Sequence, residues 1–186
     1  KEWQLSFGFN DSIAVNLPNR LFERTDLVEH IHQCVTHYGV PHRSIQLEIT
    51  ETGLMKDLQD VIPSLHRLNE IGVEISIDDF GTGYSSLAYL TTLPISELKI
   101  DRGFVRDLGI TPQSSAVVTA IIALARSLGL RVIAEGVETE AQRQLLSTLD
   151  CDDMQGFLFS RPLAAAEFED FLTAGAFPSR EGPRVG

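Results

Sequence analysis

The sequence predicts a single α/β domain whose parallel strands close toward a (β/α)8, TIM-type barrel, and three observations carry that prediction. Short β-type runs alternate with longer helical runs, the pattern of βα units around parallel strands. Inside the strand runs, apolar and polar residues alternate: Ile45, Leu47 and Ile49 against Gln46 and Glu48; Val73, Ile75 and Ile77 against Glu74, Ser76 and Asp78; Leu98 and Ile100 against Glu97, Lys99 and Asp101. Parallel strands buried on both faces normally read as continuous apolar runs. Alternation instead implies helices on the apolar face and a shared polar interior on the other, which a barrel provides. Finally, Asn16, Glu48, Asp78, Lys99, Glu135 and Gln155 each close a strand run, spaced by about one βα unit. Each successive strand thus delivers one polar group to the rim where such barrels place their chemistry.

The elements follow in order. Residues 13–16 are a short apolar strand ending in Asn16, and 20–38 carry helical periodicity up to Gly39-Val40-Pro41, where a C-terminal glycine is expected. A second strand is expected over 45–50, followed by a short helix at Leu54 to Leu58 and a helix over 60–71 stopped at Gly72. The third strand, 73–78, leads into a glycine-rich turn and a helix over 84–91. Strand 97–101 precedes a helix at 113–128 ending before Gly129. Strand 131–135 precedes a helix at 140–149 that Thr139-Glu140-Ala141-Gln142 opens as a capping box. A last strand, 151–155, and a last helix, 165–173, complete the set.

At 186 residues with 43% hydrophobic and 22% charged residues, the chain is one ordinary globular domain. The domain is expected over 1–175, with a Pro/Gly/Arg-rich tail or linker over 176–186. The net charge of −11 excludes duplex nucleic acid as a partner, because no basic stripe tracks a phosphate backbone. A phosphate-bearing ligand would instead need divalent metal held by carboxylates. Two cysteines without a disulfide framework predict a reducing, cytoplasmic setting. No apolar run reaches the roughly 18 residues of a membrane span, so no membrane contact is expected from this segment. The histidines at 30, 32, 37, 42 and 66 lack an HExxH-like spacing and read as surface or packing residues.

The segment Asp78-Asp79-Phe80-Gly81-Thr82-Gly83-Tyr84-Ser85-Ser86-Leu87 is the sharpest candidate. Adjacent acids at a strand end, followed by a Gly-Thr-Gly turn, can place two carboxylates near one or two hard cations. The plainer alternative is that Asp79 caps a turn. Glu48 points inward, which is unfavourable unless a cation or donor meets it, and Lys99 offers such a charge. Glu51 reads either as a site residue or as a first-turn acid answering a helix dipole. Glu135 and Glu138 repeat the carboxylate pattern after the fifth strand run. Carboxylates with one lysine on one rim favour metal-assisted phosphoester chemistry over a nucleophilic triad.

In this order VNLP, LEITE, IDDFGTGYSSL, LKIDRGFV, VIAEGVET and MQGFLFSRPL run from about residue 12 to 163. The string resembles the EAL-domain cyclic-di-GMP phosphodiesterases of bacterial signalling. The resemblance implies a modified (β/α)8 barrel that uses Mg2+ or Mn2+, two ions per site, to open one phosphodiester of cyclic di-GMP and yield linear pGpG. Residue by residue, it implies Asn16, Glu48 and Asp78 as ligands of the first metal and Asp79 as a ligand of the second. Lys99 resembles the lysine at the attacking water or phosphate, and Glu135 the essential glutamate proposed as general base or metal-site partner. Asp79, Lys99 and Glu135 form the implied catalytic set. Gln155 resembles a supporting glutamine and Glu51 the glutamate that anchors the DDFGTGYSS loop, while Asp101 and Glu138 are further supporting candidates. Phe157 and Tyr84 are aromatic candidates for guanine contact, against the commoner fate of core packing. A homodimer and upstream sensory or diguanylate-cyclase-like domains are the implied partners beside cyclic di-GMP.

One departure accompanies the resemblance: the strand bearing Glu-Ala-Leu, with its metal-ligating glutamate, has no counterpart here, and Ala123-Leu124 lies in a helical run after Ile122. The first βα unit is therefore expected to be absent from this chain, leaving two unpaired strand edges and a chain inert toward cyclic di-GMP by itself. The alternative reading is a catalytically incomplete receptor that binds cyclic di-GMP and signals to a partner.

Overall fold

The computed structural model describes residues 1–56, 58–83 and 87–174. Six parallel strands form one sheet in sequence order: β1 (Ile13–Asn16), β2 (Ile45–Thr50), β3 (Glu74–Phe80), β4 (Glu97–Ile100), β5 (Arg131–Glu135) and β6 (Asp153–Gln155). Each strand pairs with its sequence neighbour, with Asn16 beside Glu48, Glu48 beside Ser76, Ser76 beside Glu97 and Glu97 beside Arg131. The result is a curled, TIM-type half-barrel in which β1 and β6 are the sheet edges among the described residues.

Helices alternate with the strands as the βα pattern requires. They are α1 (Glu2–Phe7), α2 (Leu27–Tyr38), α3 (Glu51–Lys56), α4 (Leu58–Glu70), α5 (Leu87–Leu90), α6 (Arg102–Arg106), α7 (Pro112–Ser127), α8 (Glu140–Thr148) and α9 (Ala165–Thr173). Three-ten turns at Asn19–Glu23 and His42–Ser44 precede α2 and β2. The helical run expected over 20–38 is thus broken: a three-ten turn ends at Glu23, and α2 begins at Leu27 behind the Asp26 N-cap. The Leu54–Leu58 helix is instead α3, which begins directly at Glu51, and α4 starts two residues before the expected 60. Strand β6 is shorter than 151–155 because Cys151 is turned into the core and the ladder starts at Asp153. The helices α1 and α6 have no counterpart in the sequence reading. Asp101 opens α6 by accepting the Gly103 N–H at 2.9 Å, and α1 has no buried residue to give it an apolar stripe. Residues 84–86 of the expected 84–91 helix, with Tyr84, lie outside the described residues, as does the expected tail 176–186.

The outward faces of the central strands make the core. Leu47, Ile49, Ile75, Ile77, Leu98, Ile100, Val132 and Ala134 are all buried and pack under α4 and α7. Leu98 is fully buried, whereas Ile13 on the edge strand is 38% exposed. At the other end of the chain's span, α1 packs on α9: the Trp3 ring lies 4.7 Å from that of Phe168, and Trp3 Nε1 donates to Glu169 Oε1 at 2.9 Å. No helix among the described residues is long and apolar enough to cross a membrane.

Deleting buried methyl groups leaves a cavity as well as losing transfer free energy. Leu98→Ala is therefore expected to lower stability by about 2–5 kcal/mol in urea unfolding, and Ile13→Ala by less than about 1 kcal/mol. Equal losses would contradict the placement of the core.

Candidate active site

Charge on the inner face is organised around two cations. Lys99 of β4 is 5% exposed at its side chain and reaches three carboxylates: Glu48 Oε1 at 2.5 Å, Glu135 Oε1 at 2.7 Å and Asp78 Oδ1 at 3.2 Å. Each comes from a different strand, β2, β5 and β3, as alternation in a curled parallel sheet dictates. One pleat lower, Arg131 faces Glu97 at 3.0 Å, Glu74 at 3.6 Å and Asp153 at 3.7 Å, and Gln46 Nε2 donates to Glu97 Oε1 at 2.7 Å. The sequence reading places Gln46, Glu74 and Glu97 on the inward face, two residues before Glu48, Ser76 and Lys99, but not their pairing with Arg131 and Asp153. The tiers border a cavity of about 870 Å³ lined by Gln46, Glu48, Glu97, Lys99, Asp153 and Gln155, among others. That volume suits a small organic ligand.

Asp79 joins the upper cluster by an irregularity. In a regular strand Asp78 and Asp79 would point to opposite faces. Between Ile77 and Phe80, however, β3 spends three residues where β4 spends two, Leu98 to Ile100, and Asp79 takes φ 54°. Such a bulge re-aims a side chain, and Asp78, Asp79 and Glu135 each bring one carboxylate oxygen within 4.8 Å of the others. Asp is among the few residues besides glycine that accept positive φ.

The turn after β3 is held by Glu51, which is 2% exposed. Its Oε2 accepts the Gly81 N–H at 2.8 Å and the Gly83 N–H at 3.3 Å. A β-carbon on Gly83 would stand 2.9 Å from Glu51 Oε1, so glycine lets the backbone reach the carboxylate.

The other expected positions divide. Asn16 closes the edge strand, exposed and in register with Glu48. Asp101 caps α6 and faces Asp79 across the β4 end. Gln155 ends β6 beside Glu135 and is exposed, with its carbonyl accepting the Val137 N–H. Glu138 is exposed outside the cluster, its N–H donating to Gln142 Oε1 at 2.8 Å in the α8 cap. Phe157 is 52% exposed with the Arg161 guanidinium 4.6 Å over its ring, so it is not packed in the core.

Electrostatics follow the geometry. Burial works against the Lys99 charge, but hydrogen bonds to Glu135 and Glu48 outweigh it and hold the ammonium above the ordinary lysine value. Burial raises Glu135, an effect that Lys99 opposes. Asp79 is raised first by burial and then by the charges of Asp78 and Asp101, with Lys99 as the opposing charge. Crowded oxygen donors short of positive charge fit a hard divalent cation, and no sulfur or imidazole stands among Asp78, Asp79 and Glu135.

Known proteins resemble this chain in sequence and in fold. The family model for the EAL domain matches residues 1–162. The chain belongs to the EAL-domain family. It is 47% identical over 156 residues to the bifunctional diguanylate cyclase/cyclic di-GMP phosphodiesterase MucR of Pseudomonas aeruginosa, covering 84% of this chain and 23% of that protein. It is 46% identical over 165 residues to the cyclic di-GMP phosphodiesterase NbdA of the same organism, covering 89% of this chain and 21% of NbdA. The chain therefore spans less than a quarter of the length of these relatives. The solved MucR phosphodiesterase in complex with cyclic di-GMP superposes with a TM-score of 0.81, covering 84% of this chain and 64% of that one. Klebsiella pneumoniae BlrP1, solved with cyclic di-GMP and either calcium or manganese, is 33% identical with a TM-score of 0.79; the matches cover 87% of this chain and 40% or 41% of those chains.

Two outcomes test the site. Because the Asp79 carboxyl is raised above its ordinary 3.8, its ionisation weighs against the metal-free fold at neutral pH. Asp79→Asn, which also accepts φ 54°, is expected to unfold at higher urea than the parent at pH 7 in chelator; the gain fades as pH falls toward 3.8. A less stable variant at pH 7 would overturn the crowding argument. Lys99→Met leaves three carboxylates sharing one buried space without their cation, and is expected to lower stability by about 3–5 kcal/mol at pH 7, with partial recovery in acid.

Proposed function

We propose that this chain carries the catalytic site of a metal-dependent phosphodiesterase that opens one phosphodiester bond of cyclic di-GMP to give linear pGpG. The observation that carries the reading is the convergence of Glu48, Asp78, Asp79 and Glu135 around Lys99 beside a cavity of ligand size. MucR and NbdA, named for this activity, support it.

In this reading Asn16, Glu48 and Asp78 hold a first Mg2+ or Mn2+ and Asp79 a second. A bound cation supplies Lewis-acid polarisation of a phosphoryl oxygen and a more acidic water. The chain's own groups do the rest. Lys99 presents a permanent ammonium to the phosphoryl oxygens and stabilises charge that develops there. Glu135, made more basic by burial, accepts a proton from the attacking water. Glu51 fixes the turn that carries Asp79, Asp101 orients Asp79 from across the β4 end, and Gln155 supports Glu135 from the neighbouring strand. Phe157, with the guanidinium of Arg161 from the cavity lining over its ring, offers a stacked surface for a guanine base. Local cations offset the chain's net charge of −11 toward a dianionic ligand. The setting is cytoplasmic, with a homodimer and upstream sensory or cyclase-like segments as partners, consistent with the multidomain MucR.

The exposed, edge-strand position of Asn16 favours a second reading, in which this chain binds cyclic di-GMP without turning it over. One experiment separates the two. This chain, and the same chain extended upstream by about 40–70 residues at roughly 30 residues per βαβ unit, are incubated with cyclic di-GMP and Mg2+ or Mn2+, and linear product is followed by chromatography. The extended chain is expected to hydrolyse, and Glu48→Gln or Asp78→Asn in it to lose both metal binding and turnover. Binding without product in the extended chain would favour the receptor, and binding indifferent to guanine would overturn both readings.

A further inference from the structure

The capping box that opens α8 explains only half of its glutamine. Glutamine or glutamate at the third helical position serves such a box equally, by turning a side-chain oxygen back onto the N-cap N–H. Gln142 does this: its Oε1 accepts the Thr139 N–H at 2.9 Å and the Glu138 N–H at 2.8 Å. Its Nε2 reaches a different element, donating to the carbonyls of Val105 at 3.2 Å and Arg106 at 3.4 Å, the last two residues of α6. Gln142 is 8% exposed, and its amide uses both donors and both acceptor positions. An ionised glutamate has no donor, so the presence of glutamine follows from α6 rather than from the cap.

The two segments so joined are those that leave the strands of Lys99 and Glu135. Helix α6 follows β4 directly after Asp101, and residues 136–139 follow β5. They also meet at the other end of α6: Gly136 takes φ 70°, and a β-carbon on it would stand 2.7 Å from the Arg102 Cβ. Glycine thus seats the turn on the first residue of α6 while Gln142 ties it to the last two. We infer that Gln142 is a positioning residue of the candidate active site, a clamp that holds the turn after Glu135 against α6 and so keeps Glu135 and Lys99, 2.7 Å apart, in their places toward the phosphoryl group. This role rests on the phosphodiester reading. Gln142 touches no reacting atom; it acts through the backbone that continues from each of the two residues, and misplacement by about 1 Å is enough to cost rate.

Two substitutions separate the clamp from the cap. Gln142→Met weakens the α8 cap and frees α6, whereas Thr139→Ala weakens the same cap, where Thr139 Oγ1 accepts the Gln142 N–H, and leaves the amide in place. In the upstream-extended chain with cyclic di-GMP and Mn2+, Gln142→Met is expected to lower kcat by roughly 10–100-fold at unchanged KM, and Thr139→Ala to keep both. A merely structural role would move the urea midpoint of both variants and leave the kcat of the folded enzyme alone. Amide hydrogen exchange in the 186-residue chain reads the clamp without turnover. Exchange over 104–108, whose N–H groups bond within and just past α6, is expected to quicken by at least about tenfold in Gln142→Met and to stay unchanged in Thr139→Ala. If Gln142→Met does not fold, Gln142→Glu is read in its place with the same expectations, since it keeps the cap acceptor and sets a carboxylate oxygen against the two carbonyls. An inactive extended parent overturns the phosphodiester reading and leaves exchange to decide the clamp. Unchanged kcat where the parent is active, or unchanged exchange over 104–108, would overturn Gln142 as a positioning residue.

Discussion

One buried ammonium allows this interior to exist. Without Lys99, the inward glutamates of β2 and β5 and the aspartate of β3 would face one another across a low-dielectric space, and burial of an unpaired charge is strongly unfavourable. With it, three strands are tied to a fourth through their polar faces while their apolar faces are tied to helices. The same ion pairs hold the carboxylates close together around one cation. A divalent cation needs its ligands gathered in that way, and Lys99 gathers them when no metal is bound.

Arg131 repeats the arrangement lower in the lumen, with Glu74, Glu97 and Asp153 around it. The two tiers differ in exposure: the Arg131 side chain is 35% exposed and Lys99 5%. The lower tier is wetter and its interactions correspondingly weaker, so it reads as the floor on which the upper one is built. Between them Ser76 is fully buried, with its hydroxyl unpaired, in register with both Glu48 and Glu97.

Much of this is legible in the sequence because period-two alternation survives in β2, β3 and β4, and because the polar residue of each strand recurs at βα spacing. The helix α8 is legible from its cap, Thr139 with Gln142, and the end of α7 from Gly129 just beyond it. Legibility fails where geometry overrides pattern. The break before α2 is not visible in a helical run that stays amphipathic, and α6 is too short to show a period. Asp78 and Asp79 are adjacent in sequence, and their placement on one side depends on a bulge that no periodicity announces. By pattern alone Glu51 reads as a site residue or a helix-start acid, and only the family resemblance implies its loop-anchoring contact with turn N–H groups thirty residues on, which the parallel pairing of β2 with β3 brings within reach.

The bulge has a consequence for which acids position 79 can hold. Aspartate there meets two independent demands: a carboxylate directed at its neighbours, and a backbone at ease with φ 54°. Glutamate satisfies the first alone, since its longer side chain lacks the local hydrogen bonding that makes left-handed geometry tolerable for aspartate and asparagine. Substitution here is therefore governed by conformation before charge. Tolerance at this position should follow the order of left-handed propensity rather than the order of acidity, so that the nearest chemical relative of the native residue is not its nearest structural one.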